Sequence, residues 1–284
     1  GGTIISSSIG VNHSYGIYNR STGIINVTGG NISSRNYSNV SSHSAYGIYN
    51  NSTGIISVAG GTVSSSAHYF YAYGIYNNST GIISILDGSI NSNSDSDSAY
   101  GIYNDSTGII IITGGIVNAS NNSDYDEVYG IYNNNTGIIS VIGGTISCNS
   151  NDSAYGIYNS STGTINVTGG LINSSTYGIY NSSTGTINVT DGTISTINNS
   201  YDNAFGIYNN SAGIISVIGG TISCNSNDRA YGIYNSSTGT IIIGTKGDGI
   251  VSSYEPKIYT GALSSYGGYG LFNKITGNIY FYDG

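Results

Sequence analysis

The 284-residue chain has one proline, no methionine, no tryptophan, two cysteines and 7% charged residues. Each scarcity removes a class of protein. Two cysteines cannot supply the disulfide framework that staples small secreted domains. Six Lys and Arg stand singly against 14 Asp and Glu, a net charge of −8. Nucleic acid is therefore not an expected partner, because phosphate binding needs clustered basic residues; an anionic membrane surface is excluded on the same ground. No apolar run approaches the roughly 20 residues of a transmembrane helix, so no membrane insertion is expected. No signal peptide and no initiator methionine are visible. Such low charge would point to disorder if the polar residues were unpatterned.

They are strongly patterned. The phrase Tyr-Gly-Ile-Tyr-Asn occurs nine times, once with Phe205 for its first Tyr, and a tenth copy reads Tyr269-Gly270-Leu271-Phe272-Asn273. Successive motif glycines, from Gly16 to Gly270, are 31, 27, 27, 29, 26, 22, 28, 26 and 38 residues apart. Such periods mark a solenoid whose repeats contact mainly their neighbours. The shortest interval, Gly156 to Gly178, approximates the bare coil, and extra residues always fall just before the next Tyr-Gly, so one corner takes every insertion. Three short strands per coil are read, in the first coil Tyr15 to Asn19, Ile24 to Thr28 and Asn31 to Ser34. Alternation turns Ile17, Ile25, Val27 and Ile32 inward and the mixed rows at Ile24 and Asn26 outward. The small row at Ser34, with Cys148 and Cys224, becomes a tight inward corner. The expected fold is all-β: a right-handed parallel β-helix of about ten coils. Residues 1–243 form regular coils; 244–284 form an irregular last coil with a long insertion, a cap or contact arm.

Two rows stand out as ladders. Asn19, Asn50, Asn77, Asn104, Asn133, Asn159, Asn181, Asn209, Asn235 and Asn273 occupy one position without exception, and a stacked amide ladder explains them. Tyr18, Tyr49, Tyr76, Tyr103, Tyr132, Tyr158, Tyr180, Tyr208 and Tyr234 form the second. Alternation places this row outward beside the side-chain-free Gly16 row, an aromatic ribbon along a bare-backbone groove. It is a candidate platform for sugar rings or for lateral contact with another chain; the competing expectation is that it merely shields the strands. Ile24, Ile55, Ile82, Ile109, Ile138 and Ile214 form an outward apolar stripe, a candidate lateral contact. Among about two dozen Asn-x-Ser/Thr sequons, the loop ones at Asn36, Asn39, Asn121, Asn151 and Asn198 are the glycosylation candidates.

Other chemistry is sparse. Cys148 and Cys224 lie three coils apart, about 14 Å at the strand spacing, too far for a disulfide; both should be free and buried. Asp95, Asp97, Asp124, Asp126 and Glu127 lie in insertions of adjacent coils, where a Ca²⁺ site or a glycosidase-like carboxylate pair competes with solvated loop tips. His13, His43 and His68 read as solvated loop histidines. No nucleophile–base pair, nucleotide fingerprint, metal or cofactor site is expected.

The phrase from Tyr155 to Asn159, followed by Gly163-Thr164-Ile165-Asn166-Val167-Thr168-Gly169-Gly170, resembles the β-solenoid repeats of large microbial surface proteins and adhesins, pectin-lyase-like in shape, over about residues 1–243. The resemblance implies an extracellular or cell-surface location. Pectin-degrading enzymes of that shape use clustered Asp with Arg, Lys or His; here Arg20, Arg35, Arg229, Lys246, Lys257 and Lys274 sit apart. The chain opens and closes inside a repeat, as a processed or excised piece would. The expected function is a non-enzymatic structural protein, a rod or end-to-end filament whose partner is itself, head to tail and laterally. The alternative is a carbohydrate-binding adhesin using the Tyr ladder; a polysaccharide-degrading enzyme is the third reading.

Overall fold

A computed structural model of the chain describes residues 1–10, 12–39, 43–123, 125–200, 202–245, 256–262 and 267–282. These fold as a parallel β-solenoid. The first segment of each coil, from Ser14–Asn19 through Ala99–Asn104 and Val128–Asn133 to Gly268–Asn273, joins a ten-stranded sheet in chain order. The remaining segments form a fifteen-stranded sheet. Among the described residues there is no helix, and so none long and apolar enough to cross a membrane.

Register follows from the sequence pattern. Tyr129 pairs with Tyr155, Ile131 with Ile157 and Asn133 with Asn159, and the same like-on-like pairing recurs along the stack. A slip of one residue would turn each buried Ile to solvent, so the apolar pattern fixes the register. Ile48, Ile56, Val58 and Val63 are at most 1% exposed, and their rows run through one continuous core. Each such side chain contributes roughly 1.5–3 kcal/mol by leaving water, and stacking lets successive coils share that burial.

The second and third segments meet at the Gly-Gly pair. In five coils they run on as a single bent strand, as in Ile25–Asn36 and Thr186–Asn198; elsewhere they are separate, as in Ile138–Val141 and Thr145–Asn149. The second glycine makes the bend: Gly30, Gly61 and Gly192 have φ of 84°, 75° and 92°, a region that side chains with a Cβ rarely enter. The first glycine has no such duty, and Asp87 and Asp191 replace it.

The last coil stays in the stack. Lys257–Ala262 pairs with Thr221–Ser226, Gly268–Asn273 with Ala230–Asn235, and Asn278–Phe281 with Thr240–Ile243. Most of the long insertion expected as a cap or arm, 246–255, lies outside the described residues.

Candidate functional site

The Asn ladder is continuous. Asn19 Nδ2 donates to Asn50 Oδ1 at 2.8 Å, Asn50 to Asn77 at 2.9 Å, Asn77 to Asn104 at 2.8 Å and Asn104 to Asn133 at 2.9 Å. The series runs on through Asn159, Asn181, Asn209 and Asn235 to Asn273. In the interior coils the other amide hydrogen closes the following turn, as Asn104 does to Ser106 O at 2.7 Å. Every interior member is at most 1% exposed, so each buried amide is satisfied from above, from below and from its own turn.

The aromatic residues form two ladders, not one. Tyr46, Tyr73, Tyr100 and Tyr129 stack with centroids 4.9 Å apart and planes within 13°. Tyr76, Tyr103, Tyr132 and Tyr158 stack at 4.9–5.0 Å with planes within 5°. The two columns meet edge to face, as at Tyr129–Tyr132, 5.0 Å and 88°, the arrangement that the ring quadrupole favours. The inner column, at the Tyr15 position, is mostly buried; the Tyr18 row is half-buried outside it.

This corrects the expected groove. The Gly16 row does not line the outer face: a Cβ on Gly47 would stand 2.7 Å from Val63 Cγ1, a core atom, and 2.5 Å from Gly74 O. Strict alternation fails at the glycine, where the pairing passes from Tyr–Tyr to Ile–Ile without a Gly–Gly bridge. Glycine and isoleucine both face the core, and the two tyrosines therefore share the outer face. Nor is the Tyr18 row a flat ribbon. Parallel rings with centroids 4.9 Å apart cannot lie side by side in one plane, because a benzene ring with its hydrogens is wider than that. Each ring covers its neighbour's face, and solvent meets ring edges and hydroxyls. Burial raises the pKa of the Tyr49, Tyr76, Tyr103 and Tyr132 hydroxyls, and that of Tyr180 to about 12. Several reach the following coil, as Tyr76 does to Asp105 Oδ2 at 3.3 Å.

The glycosylation candidates divide. The side chains of Asn36, Asn121 and Asn198 are buried and employed as local braces. Asn36 Nδ2 donates to Asn12 O at 3.1 Å, Asn121 Nδ2 to Asp126 O at 2.7 Å, and Asn198 Oδ1 accepts from Ser200 N at 2.8 Å. They are unfit acceptors for a glycan. Their position is a buried column shared with Ala67 and Ser94, a signal that the sequence carried. Asn39 and Asn151 are exposed.

Cys148 and Cys224 are free and buried, and burial pushes both thiols up to about 12. Asp95 pairs with His68 at 3.0 Å and accepts from Asn122 at 3.2 Å. Asp126 accepts from Ser123 at 2.5 Å. Glu127 accepts from Tyr129 and, at 3.4 Å, from Tyr155. His13 accepts from Ser44 N at 2.9 Å, with His43 5.4 Å away between ring centroids. Asp124 lies outside the described residues. No group of three His, Cys, Asp or Glu fit to hold a metal ion occurs among the described residues.

No family model, curated protein or solved structure matches the chain.

Proposed function

We propose that the chain is a non-enzymatic structural protein of the cell surface or extracellular space, a stiff rod that extends by stacking coil on coil. One observation carries the reading: like residues pair in register from coil to coil, with the Asn hydrogen-bond column and the stacked Tyr columns unbroken through the described stack. Each coil therefore presents the next with the same rows of core side chains, amides and rings, and a further coil of the same pattern, from the same chain or another copy, would add to them in the same way.

Lateral packing on the Ile24 stripe is the second half of the proposal. Ile55 and Ile138 are exposed with half-buried Ile82 and Ile109 between them in the same row, exposed Ile24 precedes them, and Thr164 and Thr186 separate this stretch from Ile214, so a second copy's row would meet an apolar stripe over the first five coils. Analytical ultracentrifugation tests both halves. Self-association that Ile138→Asn weakens supports the lateral contact; a strictly monomeric chain at high concentration would contradict both.

A carbohydrate-binding adhesin remains the second reading, with the half-exposed hydroxyls of the Tyr18 row in its favour. Binding on a glycan array that is lost on Tyr103→Ala, Tyr132→Ala and Tyr158→Ala would support it; absence of binding would end it. The covered ring faces weigh against it, because sugar stacking needs a free face.

A further inference from the structure

The bare coil interrupts the wall of loops. Between Ser174 and Tyr177 the corner carries no insertion, and Tyr177 is half-buried, as Tyr100 is, where Tyr155 and Phe205 on either side are 7% exposed. The corner is stable without a loop because Thr176 replaces it. In neighbouring coils the first strand's N–H donates to a loop carbonyl, as Val128 N does to Ser153 O and Ala204 N to Arg229 O. Ala154 N instead donates to Thr176 Oγ1 at 3.3 Å, and Thr176 Oγ1 donates to Asp152 O at 3.3 Å.

The gap is a cleft of about 440 Å³, floored by Tyr177 and Phe205 and walled by Asp152 on one side and by Asp202, Asn203 and Arg229 on the other. Both carboxylates are exposed. Asn203 Oδ1 is buried and accepts no hydrogen bond among the described residues. Arg229 is engaged with the Tyr231 hydroxyl.

We propose that this cleft binds a neutral sugar residue. Two carboxylates and an orphan amide oxygen ask for a ligand rich in donors. A cation is the poorer fit: the ring faces of the floor are covered by stacked neighbours at 4.7 and 5.0 Å, which removes cation–π attraction, and Arg229 opposes positive charge. The floor offers ring edges, whose C–H groups carry partial positive charge and suit hydroxyl oxygens. A vicinal diol gives its two hydrogens to Asp152 and Asp202 and its oxygens to the ring edges and Arg229, and a third hydroxyl of the same sugar ring supplies the donor for Asn203 Oδ1. The site does not depend on the rod being an assembly.

The test is titration of the whole chain with glucose, galactose, mannose and their disaccharides, followed by saturation-transfer NMR and calorimetry. Saturable binding of at least one is expected. Asp202→Asn should weaken it by about tenfold or more, the value of a charge-assisted hydrogen bond. Grafting the Asn149–Ser153 loop sequence between Ser175 and Thr176 should abolish it by covering the cleft, while circular dichroism shows the solenoid intact. Tyr103→Ala, in the outer column three coils away, should leave it unchanged. No binding by any of these sugars would overturn the proposal. So would binding that survives both Asp152→Asn with Asp202→Asn and the grafted loop, or displacement of the sugar by spermidine.

Discussion

Replacing one interior asparagine by alanine tests the central ladder quantitatively. Asn133 is 1% exposed. It accepts from Asn104 Nδ2 at 2.9 Å and donates to Asn159 Oδ1 at 2.9 Å and to Asn135 O at 2.5 Å. In Asn133→Ala, Asn135 O can turn to water because its residue is exposed, but Asn159 Oδ1 loses its ladder donor and Asn104 Nδ2 one of its acceptors. Two compromised buried groups, at roughly 1–3 kcal/mol for each orphan, give a loss of about 2–5 kcal/mol. Asn273 is the comparison. It sits at the open end, accepts from Asn235 at 2.9 Å and donates to Gly277 O at 2.6 Å, and water can replace what alanine removes there, so the expected loss is about 1 kcal/mol or less. Urea titration followed by circular dichroism reads both; with an m-value of about 3 kcal/mol/M, the Asn133→Ala midpoint should fall by about 0.7–1.7 M. Asn133→Asp should be at least as damaging, because a carboxylate cannot donate to Asn159 and is buried with its charge. If Asn133→Ala and Asn273→Ala differ by less than about 0.5 kcal/mol, within ordinary non-additivity, the ladder is not a stabilising element and the reasoning fails.

Three further outcomes follow from the same geometry. Gly47→Ala should destabilise by about 1–3 kcal/mol through overpacking against Val63, whereas Gly29→Ala, where a Cβ would meet nothing within 4 Å, should be silent in the same melt. At high pH the chain should unfold cooperatively. Burial holds the Tyr46 hydroxyl up to about 12 and raises those of Tyr73, Tyr100 and Tyr155 in the same sense. The native state thus keeps protons that the unfolded chain releases above its ordinary value of 10.0. Stability is full below that pH and lost as pH rises through the native values; ultraviolet difference absorbance should show tyrosinate appearing with the loss of β-structure, and smooth titration of a folded chain would refute the buried column. Cys148 and Cys224 should resist maleimide in the native protein and react once it is denatured, since only the thiolate attacks; fast native labelling would contradict their burial.

Much of this architecture was written in the repeat. The inward rows at Ile17, Ile25, Val27 and Ile32 follow from period-two alternation, and the invariance of the Asn19 position signals a ladder because a side-chain amide can accept from one coil and donate to the next while a second N–H closes its own turn. The Gly16 row defeated the same rule. Alternation assumes a regular strand, and at this glycine the backbone departs from one, so Gly47 and Ile48 both face the core. A hint was present in the sequence: Tyr15 and Tyr18 are equally aromatic through ten coils, which suits two packed columns better than one. The ring faces were not legible at all, since plane angles depend on the tilt of each side chain against the 4.9 Å stacking distance. The cleft at Tyr177 was legible only as a short interval, 22 residues from Gly156 to Gly178; that the flanking loops would bring Asp152 and Asp202 to either side of it needed coordinates.

Electron cryo-microscopy of the untagged native material tests the proposed stacking most directly. Continuous fibres, with strands spaced about 4.8 Å along the axis and the Asn and Tyr columns passing unbroken from one subunit into the next, are the expected result. Short, separate rods at high protein concentration, with no column passing from one subunit to another, would contradict it.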